Sequence, residues 1–142
     1  MRISRLNLLK YGLFDGVALE LPKNDADIHI VYGDNEAGKS TALDAMENLL
    51  FGFDHSTPYD YQFKSGDLRV GAVLEDGDIS FGYLRRKGRG DTIVTDDGQP
   101  IPNGEKELAS LLQGVDKAFF LRMFLLNHSR LRAGSADLLA VS

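Results

Sequence analysis

Apolar and polar positions along the first third of the chain follow the period of strands and then switch to the period of a helix. Ile3, Leu6 and Leu8 predict a strand over about residues 2–9, with a turn from Tyr11 to Gly16. Val17, Leu19 and Leu21 then alternate with Ala18 and Glu20, as in a half-buried strand. Ile28-His29-Ile30-Val31-Tyr32 is a short β-branched run ending at Gly33, a pattern that suits a central parallel strand covered on both faces. Beyond the next loop, Leu43, Met46, Leu49 and Leu50 recur at helical spacing. Ala42 and Ala45 allow close packing there, and Gly52 is placed to end the helix.

The middle of the chain predicts antiparallel strands over 68–75 and 79–86, joined at Asp76-Gly77. A turn through Lys87-Gly88-Arg89-Gly90 leads to a third strand at 92–95, closed by Asp97-Gly98. The last part predicts helices. Asn103 is placed to cap one over 104–113, Asp116 a second over 117–125, and Ser135 a third that the chain leaves unfinished. One domain is expected over 1–142, with a strand, loop and helix core at 1–56, a β-rich subregion at 57–104 and a helical segment at 105–142. The lack of a stop signal at the end reads as truncation.

Composition narrows the chemistry. At 43% hydrophobic and 26% charged residues, the chain can build a core. It has no cysteine, which removes disulfides, thiol nucleophiles and thiolate zinc sites and fits a reducing, cytoplasmic compartment. No apolar run reaches the roughly 18 residues of a membrane span, so no membrane association is expected. The net charge of −5 offers no global field for nucleic acid. Any such contact must be local, and Arg85, Arg86, Lys87 and Arg89 form the densest basic cluster. Charged residues at a strand end also guard against edge pairing, and Asp91, Asp96 and Asp97 stand close in sequence.

The strongest chemical signal is Gly33-Asp34-Asn35-Glu36-Ala37-Gly38-Lys39-Ser40, followed by Thr41. It fits the phosphate-binding pattern G-x-x-x-x-G-K-[ST]. A loop around a triphosphate needs many backbone N–H donors and little side-chain bulk, hence glycine at both ends. The helix that follows adds its positive N-terminal dipole. Lys39 would reach the β- and γ-phosphates, the Ser40 hydroxyl would hold Mg²⁺, and Thr41 would bond the α-phosphate. Asp34 and Glu36 lie on the wrapping turn itself, a position that suits structure rather than a catalytic base.

Gly33 to Thr41 resembles the Walker A of bacterial YhaN-like proteins and of the wider SMC/RecF/SbcC group of ABC-type ATPases. The opening strand with Lys10-Tyr11-Gly12-Leu13-Phe14, the stretches at 68–71 and 84–88, and Met123 to Arg132 follow the same order. The resemblance implies an α/β P-loop NTPase lobe of ABC type, the N-terminal half of its ATPase, with an antiparallel β sub-sheet and a helical C-terminal segment. It implies ATP and Mg²⁺ as cofactors and a role in DNA repair or chromosome maintenance. It implies a second lobe carrying the signature and Walker B motifs, dimerisation on ATP binding, a nuclease subunit as a further partner, and DNA as a ligand. Lys10 and Tyr11 fall where relatives contact the base or phosphate, with packing of Tyr11 at the strand end as the equal alternative, and Asn127 and His128 fall where relatives place the Q-loop, with a plain polar pair at a helix terminus as the alternative. Arg130 and Arg132 follow on the same segment, while Gln62 is a weaker Q-loop candidate in a polar turn.

No apolar run ends in Asp-Glu, and no Ser-Gly-Gly signature or heptad segment is present. The water-activating acid of hydrolysis is therefore expected from the second lobe, and this chain is expected to bind ATP. Two other readings stand beside this one. One is a different P-loop enzyme such as a small-molecule kinase, with Arg85 to Arg89 as its lid arginines. A GTPase is disfavoured, since neither Asn-Lys-x-Asp nor Asp-x-x-Gly occurs. The other is a non-enzymatic module that keeps its P-loop as structure.

Overall fold

The computed structural model describes residues 1–34 and 38–124. Five strands form one antiparallel sheet: β1 (Arg2–Tyr11), β2 (Phe14–Glu20), β3 (Arg69–Asp76), β4 (Ile79–Arg86) and β5 (Ile93–Val94), in the order β2-β1-β3-β4-β5. Helix α1 (Lys39–Phe51) packs on one face of this sheet. Helices α2 (Gly104–Leu112) and α3 (Lys117–Met123) follow in sequence. Strands from the first and the middle stretches of sequence thus share one sheet, with β1 beside β3.

The core lies between α1 and the sheet. Leu6 and Leu8 of β1, Val70, Ala72 and Leu74 of β3, and Tyr83 of β4 face Ala42, Ala45, Leu49 and Leu50 of α1. Leu108 and Leu111 of α2 extend the same cluster. A leucine buried as completely as Leu6 or Leu49 contributes about 1.5–3 kcal/mol. The small side chains at 42 and 45 let the helix approach the strands closely. Gly52 ends α1 as expected.

Two expectations need correction. The run Ile28–Tyr32 is not a buried parallel strand. It has no strand pairing, and Ile30 and Tyr32 are more than 80% exposed. β-Branched composition describes a surface that wants a sheet neighbour, and among the described residues this run has none. Asn103 does precede α2, but its backbone is left-handed and its side chain makes no capping bond. Asp116 does cap α3, accepting from the Phe119 N–H at 2.8 Å. The third helix expected after Ser135 lies outside the described residues.

Candidate phosphate-binding site

The site begins where the exposed run ends. Gly33 and Asp34 lead into the loop, and Gly38 closes it immediately before α1. Gly38 has φ +95°, a left-handed conformation open to glycine at little cost. A β-carbon there would also stand 2.5 Å from Phe14 Cζ and 3.1 Å from Leu13 Cδ2. Glycine is therefore required twice over, by the backbone turn and by the β1–β2 hairpin tip that presses on the loop.

The first bond of α1 runs from the Ala42 N–H to the Gly38 carbonyl at 2.9 Å. The N–H groups of Lys39, Ser40 and Thr41 precede it and stay outside the helical ladder. No acidic residue occupies the first turn. This terminus keeps its positive character, the condition for holding an anion. Lys39 Nζ folds back over the loop entrance, donating to the Gly33 carbonyl and, at 3.1 Å, to the Asp34 carbonyl. Its ammonium thus sits at the loop entrance. Ser40 lies exposed in the first turn. Asn35, Glu36 and Ala37 lie outside the described residues.

Neither flanking residue takes the base-contact reading, and Tyr11 takes the packing one. Tyr11 cannot stack on a base. It is completely buried, its ring stacks on Tyr59 with centroids 4.6 Å apart, and its hydroxyl accepts from Asn48 Nδ2 at 3.0 Å. Burial pushes its phenol well above the usual range. Lys10 lines a cavity of about 400 Å³ with Asp15, Arg69, Leu84 and Asp96, on the sheet face turned away from α1. The cause is a register shift against β3 between Leu8 and Lys10, which brings Tyr11 onto the face that Leu6 and Leu8 share.

The loop after α1 supplies a group that sequence reasoning missed. The Tyr59 carbonyl accepts from the Gly12 N–H at 2.9 Å, and the Tyr59 hydroxyl donates to the Asp44 carboxylate. Burial first, then the bond to Asp44, raises the Tyr59 phenol above its ordinary value. Gly12 has φ +57°, and a β-carbon there would meet Thr41 Cγ2 at 3.1 Å, Tyr59 Cδ1 at 3.2 Å and the Tyr61 hydroxyl at 3.4 Å. The Tyr-Asp-Tyr triplet at 59–61, two aromatics in a polar loop, was the signal available for this cluster.

The basic cluster divides. Arg85 is 2% exposed and is not a surface residue. It donates from Nε to the Leu49 carbonyl and from Nη2 to the Leu50 carbonyl, both at 3.1 Å. Nη1 reaches Thr92 Oγ1 at 2.9 Å and pairs with Glu105. The Tyr83 hydroxyl joins it on the Leu49 carbonyl at 3.0 Å. Arg85 therefore closes the C-terminal end of α1 and has no surface from which to meet DNA phosphates. Arg86 bonds the Asp91 and Arg89 carbonyls of its own turn. Lys87 bonds the His55 carbonyl at 2.7 Å, and Arg89 is exposed. Asn127, His128, Arg130 and Arg132 lie outside the described residues. No helix among the described residues is long and apolar enough to cross a membrane.

A family model described as AAA domain matches residues 1–142. The chain belongs to this family. It is also 30% identical over 129 residues to YhaN of Bacillus subtilis strain 168, a protein described as uncharacterized. That match takes in 87% of this chain and 13% of YhaN, so the chain spans about an eighth of its relative's length. The resemblance to YhaN-like ATPases drawn from the Walker A therefore extends over 87% of the chain.

Proposed function

We propose that this chain is the ATP-binding lobe of a two-lobed ATPase of SMC/SbcC type. The observation that carries the reading is the end of α1. Left-handed Gly38, three N–H groups outside the helical ladder, no acidic residue in the first turn, and Lys39 lying across the entrance make a receptor for a polyphosphate. Lys39 and the loop N–H groups would hold the β- and γ-phosphates, and the Ser40 hydroxyl would hold Mg²⁺. The bound metal would supply charge neutralisation at the phosphates.

The exposed run at 28–32 supports a second lobe. Ile28, Ile30, Val31 and Tyr32 lead directly into the loop, are 50–88% exposed, and have the composition of a strand. A parallel strand from the signature and Walker B lobe would satisfy their backbone groups and cover their side chains. That lobe would also bring the acid that activates water, so hydrolysis belongs to the pair. A role in DNA repair or chromosome maintenance, and a nuclease partner, rest on the resemblance alone.

Calorimetric titration of Mg-ATP into the chain and into Lys39→Ala tests the phosphate site. Binding by the wild type that Lys39→Ala abolishes is expected. Equal binding by both would assign the P-loop a purely structural role. Loss of folding is not expected in Lys39→Ala, because the bonds that Lys39 makes are exposed and their carbonyls can turn to water.

A further inference from the structure

We propose that Tyr61 stacks on the base of the bound nucleotide, an inference that rests on the phosphate-site reading above. In the loop pattern, Lys39 serves the β- and γ-phosphates, and Thr41, two residues further along α1, is read from the sequence as the partner of the α-phosphate. The nucleoside must therefore leave the site on the Thr41 side. Thr41 meets there the β1–β2 turn at Gly12 and the loop carrying Tyr59 and Tyr61, which converge within van der Waals distance of one point on Gly12.

The aromatic rings around this point are not equivalent. Tyr11 is buried, and Tyr59 is stacked on Tyr11 with its hydroxyl held by Asp44. Phe14 packs against Gly38. Tyr32 is exposed but precedes Gly33, whose carbonyl Lys39 holds, and so stands at the terminal-phosphate end. Tyr61 differs from all of these. Its hydroxyl end lies against Gly12, while 66% of the residue is exposed. A largely exposed tyrosine whose hydroxyl end lies beside Gly12, next to Thr41, can cover a planar base with its ring. Stacking of this kind is available to every base, so Tyr61 would strengthen nucleoside binding without choosing adenine over guanine.

The chain contains no tryptophan, so Tyr61→Trp makes the single indole of the protein. Titration of this variant with Mg-ATP is expected to quench its emission. Mg-tripolyphosphate, which carries phosphates but no base, is expected to bind without quenching. In calorimetry, Tyr61→Ala should weaken Mg-ATP about ten-fold and leave Mg-tripolyphosphate unchanged, while Tyr61→Phe should keep wild-type affinity for both. If the wild type binds both ligands and Tyr61→Ala leaves their ratio unchanged, the stacking role is overturned and the phosphate site survives. If the wild type binds neither, the phosphate-site reading fails and takes this inference with it.

Discussion

Replacing Arg85 with methionine removes a guanidinium that the fold has built around, and the cost follows from its four partners. Two are main-chain carbonyls at the end of α1, those of Leu49 and Leu50. These lose a charged donor in a place where Arg85 itself is 2% exposed. A buried acceptor left without its donor costs about 1–3 kcal/mol. Tyr83 still bonds the Leu49 carbonyl, so most of that penalty falls on Leu50. Loss of the Thr92 hydroxyl bond adds about 1 kcal/mol. Glu105 contributes little, because its side chain is 68% exposed and regains water when the pair breaks. The apolar stem of methionine recovers part of the packing. The net expectation is a loss of about 3 kcal/mol, a large share of the 5–15 kcal/mol typical of a domain. For a chain of this size that lowers Tm by about 10 °C. Urea unfolding of Arg85→Met and Glu105→Gln checks the reasoning, with the glutamate change expected to cost under about 1 kcal/mol. The account is refuted if Arg85→Met is as stable as wild type, or if Glu105→Gln costs as much as the arginine change. The first result would make Arg85 dispensable at the helix end, and the second would make the ion pair rather than the carbonyls its purpose.

Two further outcomes are expected. Gly38→Ala should cost about 1–3 kcal/mol from its left-handed backbone alone, and the added methyl must also displace the Phe14 ring. Mg-ATP binding should fall with it, read by thermal melting and calorimetry on one sample; unchanged melting would mean that the loop relaxes freely. At the other end of the exposed run, hydrogen bonds from Arg2 hold the Asp27 carboxyl below the usual carboxylate range. A depressed folded-state value contributes stability above the unfolded pKa, near 4, that is lost as pH falls through the folded value. Carboxyl NMR titration should show the Asp27 midpoint rising in Arg2→Gln, and an unmoved midpoint would assign the shift elsewhere.

What was legible in the sequence was whatever a short window decides. The β3–β4 hairpin followed from alternation on both sides of Asp76-Gly77. The helix after the P-loop followed from its spacing, and the Asp116 cap from one residue and its neighbours. The errors came from partners distant in sequence. For Tyr11 the sequence left base stacking and strand-end packing open, and a register shift that only the β3 pairing produces decides it by turning the ring inward. Arg85 sat in a run of four basic residues and looked like surface. Its burial depends on carbonyls that α1 delivers from 35 and 36 residues away. The β-branched run at 28–32 looked buried because composition reports the surface a strand wants, and nothing local says whether a neighbour is there to cover it.

The two ends of the candidate phosphate loop are held unequally, and this bears on how the proposed lobe would work. On the α1 side the fixing is extensive. Ala45 and Leu49 pack into the core, Gly38 is pinned beneath Phe14, and Arg85 closes the far end of the helix. On the other side the loop leaves a run that no strand holds among the described residues, and exposed bonds from Lys39 to the Gly33 and Asp34 carbonyls link it to α1. A polyphosphate would compete for that same ammonium and so loosen the loop entrance as it binds. A strand paired with 28–32 would fix the entrance independently and leave Lys39 free for the ligand. On the proposed reading, pairing of the second lobe and binding of nucleotide therefore reinforce each other, since each relieves a cost the other would otherwise meet.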